Sequence, residues 1–333
     1  MIASLCPRRQ RSFAKIRTVA NDPLADKRRR YLALAADLPE TCRLIDVSEG
    51  NALARKFKKL RLFRGRYLRW AAAHLGLPAP KEVDVSLFWG GRMRLPYSDD
   101  SDFVTMYLAG IVSGPEYKLV RRFIKTLRPD DAFYDVGANY GFYTHLAAEF
   151  IGAGGEIHAF EPLPEVCAQL RRNSPGNAIR VVEAALWDST GEAALYRSDL
   201  GDVCNTLEAE VVAFNPSHGS RMTSVRCVTL DDYARSQRPP TVIKIDVEGG
   251  ERRLIAGGLD TLRRHRPALA MEVWSGPAGE RFSLPASRTL LDLGYAAYTL
   301  DEDGGLSSLG AGELADFIAG LPGVWDNLVF LPA

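Results

Sequence analysis

The most constraining feature of this 333-residue chain is the heptad Asp135-Val-Gly-Ala-Asn-Tyr-Gly141. Ala132-Phe-Tyr134 before it is apolar and suits a buried parallel strand. After it Phe142, Leu146 and Phe150 recur at helical spacing. Strand, glycine turn and helix together bring bare backbone N–H groups against a ligand, and the helix N-terminus favours electron-rich groups there. The pattern is G-x-N-x-G, shorter than the glycine cradle a pyrophosphate needs. A short turn headed by an acid suits a ligand with a carboxylate, an amine and one ribose. A plain βα turn that needs glycine only for packing is the competing explanation.

A second landmark favours the ligand. Glu156-Ile-His-Ala-Phe-Glu161-Pro162 reads as the next strand and ends in an acid about 20 residues after the turn, where doubly wound folds take ribose hydroxyls. The third is Thr241-Val-Ile-Lys-Ile-Asp246-Val-Glu248-Gly249, a β-branched strand that ends in Asp246, with Glu248 opening a helix. Asp135, Glu161 and Asp246 then share the sheet edge where open α/β sheets bind ligands.

Strand-like and helix-like stretches alternate from about residue 115 onward, which implies a mostly parallel sheet covered on both faces. Strands are expected over 178–184, 267–273, 295–300 and 327–331. A hairpin or flap is expected from 193–197 and 224–228, and a further hairpin from 83–95 around Gly90-Gly91. Residues 1–50 read as a poorly ordered or loosely helical extension with the run Lys27-Arg28-Arg29-Arg30. Residues 51–77 read as a basic amphipathic helix, suited to an acidic membrane surface or to wet packing on the main domain. Pro78 and Pro80 break it. The expected division is a basic, partly helical N-terminal extension over 1–80 and a self-sufficient domain over 81–333.

Composition excludes several classes. Net charge is +1, which gives no global argument for nucleic acid. The charge is uneven: 1–75 holds about 18 Lys+Arg against about 6 Asp+Glu. Cys6, Cys42, Cys167, Cys204 and Cys227 are odd in number and widely spaced, without a C-x-x-C. That pattern suggests neither a disulfide framework nor a zinc site, and reduced thiols fit a cytoplasmic protein. No apolar run reaches membrane-spanning length. The Arg-rich first 19 residues lack the apolar region of a secretory signal and leave an organellar transit peptide open.

With these residues in view, the chain resembles the FkbM family of S-adenosylmethionine-dependent methyltransferases. The matching stretches are Tyr134–Thr144, Ala159-Phe-Glu-Pro162, Glu183-Ala-Ala-Leu186, Val228-Thr-Leu-Asp-Asp232, Ile243-Lys-Ile-Asp-Val-Glu-Gly249, and Arg266-Pro267 with Glu272-Val273, in order and spacing, over about 115–275. The resemblance implies an α/β class I methyltransferase fold. This is a Rossmann-like, doubly wound seven-stranded sheet with an antiparallel last hairpin, here carrying an N-terminal helical and β-hairpin extension. It implies S-adenosylmethionine as cofactor and O-methylation of a hydroxyl on a sugar, glycan, lipid or polyketide-type product. By position, Asp135, Gly137, Ala138, Asn139, Tyr140 and Gly141 would hold the methionine part. Glu161 and Pro162 would hold the ribose, and Ala185 and Leu186 the adenine. Trp187 stands where a small residue is common.

A hydroxyl acceptor has a high pKa, so a general base helps. Asp246 is the first candidate and Glu248 the second; His145 and His158 are read as packing groups. Lys244 shares the face of Asp246 in an extended strand. Two acids without a third oxygen ligand argue for a metal-free site. Two other readings compete: an NAD-dependent oxidoreductase, disfavoured by the missing G-x-G-x-x-G, and a non-catalytic binding module of the same fold. Neither oligomeric state nor acceptor is legible.

Overall fold

The computed structural model describes residues 23–45, 81–97, 106–107, 109–112, 114–174, 179–198, 204–214 and 221–333. The basic stretch 51–77 lies outside the described residues. The strands are β1 (Glu82–Ser86), β2 (Arg92–Pro96), β3 (Ala132–Val136), β4 (Glu156–Glu161), β5 (Ile179–Glu183), β6 (Ala185–Leu186) and β7 (Gly191–Arg197). They continue with β8 (Arg221–Val228), β9 (Val242–Ile245), β10 (Ala268–Trp274), β11 (Tyr295–Leu300), β12 (Leu306–Leu309) and β13 (Trp325–Pro332).

The main sheet has eight strands in the order β12-β11-β13-β10-β9-β3-β4-β5. Its five central and edge strands β10, β9, β3, β4 and β5 are parallel. β13 inserts antiparallel between β10 and β11. This is a doubly wound, mixed α/β arrangement with a mostly parallel sheet. The expected count of seven is exceeded by β12, because Asp301–Gly305 turns the chain back onto β11 as a hairpin. Chain order reverses between β3 and β9, and that switch point opens the crevice at the carboxyl ends of the strands.

Successive side chains of β3 and β9 feed opposite faces. Phe133 and Val242 join the core under the helices Glu116–Thr126 and Phe142–Ala148. Tyr134, Val136, Ile243 and Ile245 join the core under the helices Glu251–Ala256, Leu259–His265 and Leu284–Asp292. Both strands are wholly buried, which is why their sequences are apolar runs rather than alternations. The flap expected after residue 193 is a separate three-stranded sheet, β6-β8-β7. The early hairpin is β1-β2.

The N-terminal reading needs correction. Residues 25–45 form two helices, Ala25–Leu34 and Leu38–Ile45, and Tyr31, Ala35, Leu38 and Cys42 are buried in the same core as Phe123 and Phe150. Arg28 donates to the carbonyls of Ile124 and Leu127, where the helix Glu116–Thr126 ends, so its charge meets the negative end of a helix. Arg121, itself buried, donates to the Ala35 carbonyl at 2.6 Å. Tyr31 donates to Glu149 at 2.8 Å, and Lys27 pairs with the same carboxylate. A boundary at 80 therefore cuts through a core.

A chain beginning at Lys81 is expected to melt well below the full chain or to be insoluble. Each buried apolar side chain lost removes roughly 1.5–3 kcal/mol, and Arg121 is left short of its acceptors. Thermal unfolding of the two chains checks this; equal melting temperatures would show that the two helices are dispensable.

Candidate active site

A cavity of about 490 Å³ sits at the switch point, at the carboxyl ends of β3, β4, β9 and β10. That is a volume typical of small-molecule sites. Gly137, Ala138, Asn139 and Tyr140 line one wall, with Glu161 and Pro162 beside them and Ala185, Leu186 and Trp187 beyond. Asp246, Glu248 and Lys244, at the end of the neighbouring β9, line it as well.

The turn works differently from the expected cradle of bare N–H groups. Gly137 and Ala138 both donate to the Phe160 carbonyl, at 3.1 and 2.9 Å, and Gly141 donates to Ala138 at 2.8 Å. Asn139 N–H donates to Glu161 Oε2 at 3.2 Å. The neighbouring strand thus consumes the donors, and the turn acts as a fixed wall. Gly137 has φ +77° and a Cβ there would lie 1.7 Å from the Asp246 carbonyl oxygen, so glycine is required by the close approach of β9.

Two expected ligand-contacting residues lie elsewhere. Asp135 does not line the cavity: it is 0% exposed and accepts a bond from Thr144 at 2.6 Å. Burial raises its pKa, against the opposing pull of Lys244 and the Thr144 bond. It sits behind the turn because residue 135 is still inside β3. Gly141 lies outside the lining too; it occupies the left-handed position before the helix Phe142–Ala148 and packs under Leu170. Of the others, Gly137, Ala138, Asn139, Tyr140, Glu161, Pro162, Ala185 and Leu186 are brought to one cavity, as are Asp246 and Glu248.

Glu161 is buried, and its two oxygens accept from the backbone of Asn139 and, at 3.0 Å, of Leu163. A carboxylate has about four lone-pair sites and can accept from several donors at once. The Asn139 Oδ1 atom is buried and lacks a hydrogen-bond partner among the described residues. These groups suit a ligand that donates hydroxyl and amine hydrogens at this wall.

At the end of β9 Lys244 Nζ lies 2.7 Å from Asp246 Oδ2 and 4.9 Å from the Tyr143 ring centroid. Burial opposes the Lys244 charge, but Asp246, Asp135 and Glu116 outweigh it and hold the pKa above the ordinary lysine value. Glu248 sits at φ +53°, its carbonyl bonded by the Thr206 hydroxyl at 2.7 Å.

Glu272 completes the cluster. It is 9% exposed, lines the cavity, and accepts from Trp274 Nε1 at 3.3 Å. Asp246, Glu248 and Glu272 each offer an oxygen within 4.8 Å of the others. Burial, then the charges of Asp246, Glu248, Glu251 and Glu116, push its pKa well above the usual carboxylate range. The sequence signal was present: an acid inside the otherwise apolar run Ala268–Val273 is costly to bury without a purpose. Glu272 is also the third oxygen donor that Asp246 and Glu248 lacked; such a set suits a hard divalent ion, although Lys244 already holds one Asp246 oxygen.

His145 and His158 do not line the cavity. His145 Nε2 is bonded to the Asn173 carbonyl, and His158 lies between Tyr233 at 2.8 Å and Glu156 at 3.0 Å. Burial keeps both imidazole pKa values below the ordinary one.

Glu251, behind the acids and almost fully buried, has its pKa pushed up to about 7, chiefly by burial and further by Asp246, against bonds from nearby backbone N–H groups. The unfolded carboxyl, near 4.5, releases its proton first. Between those two values the folded state binds more protons, so stability falls as pH rises. The loss attributable to Glu251 is about 3 kcal/mol. Glu251→Gln is expected to flatten that decline, raising the melting temperature at pH 8 but not at pH 4; an unchanged pH–melting curve would refute the assignment.

Residues 135–296 match the family model described as the Methyltransferase FkbM domain. Over those 162 of its 333 residues the chain is similar to FkbM methyltransferases. It is 30% identical over 165 residues to the 31-O-demethyl-FK506 methyltransferase FkbM of Streptomyces tacrolimicus, covering 39% of this chain and 60% of that protein. It is 28% identical over 158 residues to the hexuronic acid methyltransferase AglP of Haloferax volcanii, covering 44% of this chain and 58% of that protein. The chain thus spans about three fifths of these relatives. A solved FkbM methyltransferase from Methylobacillus flagellatus aligns over 69% of this chain and 53% of its own, at 16% identity and a TM-score of 0.40. The FkbM match begins at Asp135 and includes Glu161, Asp246 and Glu272, whereas Leu95, Met106, Val112, Glu116, Val324 and Trp325 line the cavity from outside it.

Proposed function

We propose that this protein is an S-adenosylmethionine-dependent O-methyltransferase. The observation that carries the proposal is that Glu161 and the clustered acids Asp246, Glu248 and Glu272, all within the stretch similar to the FkbM domain, line one cavity. The residues fit the cofactor: Asn139 Oδ1 awaits a donor, the Glu161 carboxylate at the cavity is an acceptor suited to ribose hydroxyls, and Ala185 and Leu186 supply an apolar slot for a base. When bound, S-adenosylmethionine supplies an electrophilic methyl on a sulfonium.

The chain's own residues then have to bring a hydroxyl into line and take its proton. Asp246 is fixed in orientation by Lys244, so its other oxygen is a positioned acceptor for the hydroxyl hydrogen. Glu272 has the raised proton affinity of a buried acid among acids, which suits it to receive the proton. Glu248 completes the polar end. The relatives named above are a 31-O-demethyl-FK506 methyltransferase and a hexuronic acid methyltransferase, and a sugar-, glycan-, lipid- or polyketide-type hydroxyl is the acceptor class proposed here. The four described cysteines form no disulfide, which supports a cytoplasmic location. No described helix is long and apolar enough to cross a membrane.

Calorimetry with S-adenosylmethionine and with NAD tests the reading; S-adenosylmethionine is expected to bind and NAD not. Glu161→Ala is expected to weaken S-adenosylmethionine binding by about 1.5–3 kcal/mol, the scale of a hydrogen bond to a charged group. Tight NAD binding without an S-adenosylmethionine signal would favour the oxidoreductase reading instead.

A further inference from the structure

We infer that the carboxylate on the cofactor's methionine part is received by the Lys244 ammonium and the Tyr143 hydroxyl. The inference rests on the methyltransferase reading and deepens it at the end of the cofactor away from the ribose.

The glycine turn has little left to offer an anion. Gly137, Ala138 and Gly141 donate their N–H groups to backbone carbonyls, and Asn139 donates to Glu161. A carboxylate entering the cavity therefore needs side-chain donors. Lys244 is the single cationic side chain among the described lining residues. It is 4% exposed, and its ammonium has three donors, one of which the Asp246 bond uses at 2.7 Å. Burial opposes the charge, but Asp246, Asp135 and Glu116 outweigh it and keep the ammonium protonated. In such a low-dielectric place a bond between an ammonium and a carboxylate is strong.

Tyr143 supplies the second donor. Its hydroxyl is buried and has no hydrogen-bond partner among the described residues. Two other buried donors share that condition, Trp89 Nε1 and Ser174 Oγ, and neither residue lines the cavity. Tyr143 does line it, and its ring centroid lies 4.9 Å from Lys244 Nζ. Phe123 at 5.6 Å and Phe142 at 5.2 Å pack edge-on against the ring and fix it. A buried hydroxyl held in that state costs the fold stability, and a bound acceptor removes the cost.

Strand order puts this pair where the carboxylate arrives. β4 ends in Glu161, β9 carries Lys244, and β3, which leads into the turn, lies between them. Two strand spacings make about 10 Å, a span that an extended S-adenosylmethionine covers from its ribose to its carboxylate.

The test compares S-adenosylmethionine with decarboxylated S-adenosylmethionine, which keeps the sulfonium and the amine and lacks the carboxylate. Calorimetry on the full chain reads binding. The wild-type protein is expected to bind the decarboxylated compound on the order of tenfold or more weaker, the loss of hydrogen bonds to a charged group. Tyr143→Phe removes only the hydroxyl. Without ligand it is expected to melt no lower than wild type. It is expected to bind S-adenosylmethionine on the order of tenfold weaker and the decarboxylated compound as wild type does. Lys244→Gln should show the same selectivity and serves if Tyr143→Phe does not fold; the wild-type comparison needs no variant.

Equal binding of the two compounds by the wild-type protein would overturn the inference alone, as would a Tyr143→Phe protein that loses both affinities alike or neither. A wild-type protein that binds neither compound would overturn the methyltransferase reading and the inference with it.

Discussion

Gly137→Ala is expected to destabilise the protein by about 3–5 kcal/mol, the sum of overpacking and a strained positive φ. The added Cβ would meet the Asp246 carbonyl oxygen at 1.7 Å, and that atom belongs to backbone held by its neighbour: Asp246 N–H donates to Val136 at 3.1 Å. Neither strand can give way without opening the β3–β9 seam on which both cores are built. The same movement displaces the turn that lines the cavity, so residual folded protein should also bind S-adenosylmethionine poorly. Gly141→Ala provides the contrast. It shares the positive φ, but its Cβ meets only the tip of the Leu170 side chain, which can rotate. It should cost about 1–3 kcal/mol. Chemical unfolding of both variants checks the order; a Gly137→Ala protein as stable as Gly141→Ala would show that the crossing is less tight than the structure has it.

The same two glycines show how far the sequence could be read. The strand–turn–helix signature at 132–150 placed the turn, because a buried parallel strand and an amphipathic helix leave distinct patterns. It could not tell a glycine that admits a ligand from one that admits another strand. Both need the same residue, and the difference lies in what β9 and Leu170 bring near. Asp135 misled for a related reason. An acid at a strand end reads as a ligand contact, but one residue of register sets whether it faces the crevice or lies behind the turn. Glu272 was visible as an acid in an apolar strand, yet its partners Asp246 and Glu248 are some 25 residues away, and only the sheet order brings them together. The helices at 25–45 were hidden because their contribution is made by Tyr31, Ala35, Leu38 and Cys42, spread across a run dominated by charge. Lys27 and Arg28 looked solvated and are instead fixed to a carboxylate and to helix-end carbonyls.

Asp246→Asn is expected to lower turnover by roughly 10²–10⁴-fold, the range for a positioned acid–base group. β9 is central and wholly buried, so the residue at its end is held more rigidly than a loop residue. The substitution keeps shape and an amide oxygen for Lys244 but removes the negative charge, so the buried ammonium retains a hydrogen bond while losing its ion partner. The amide also presents a donor where the acceptor hydroxyl needs an acceptor, which misorients it. Affinity for S-adenosylmethionine should change much less, because the groups proposed to hold it, Asn139 and Glu161, keep their own contacts. Transfer of a labelled methyl group into fractionated cell extract would supply the acceptor, and both quantities can then be measured on the purified variant. Glu272→Gln is the companion. If Glu272 receives the proton, its loss should lower turnover and abolish the rise of activity with pH that a raised carboxyl pKa imposes, whereas Asp246→Asn should keep that rise at a lower level. Unchanged turnover in Asp246→Asn would move the orienting role to Glu248. A parallel collapse of S-adenosylmethionine binding would make Asp246 a cofactor ligand instead of a partner of the hydroxyl.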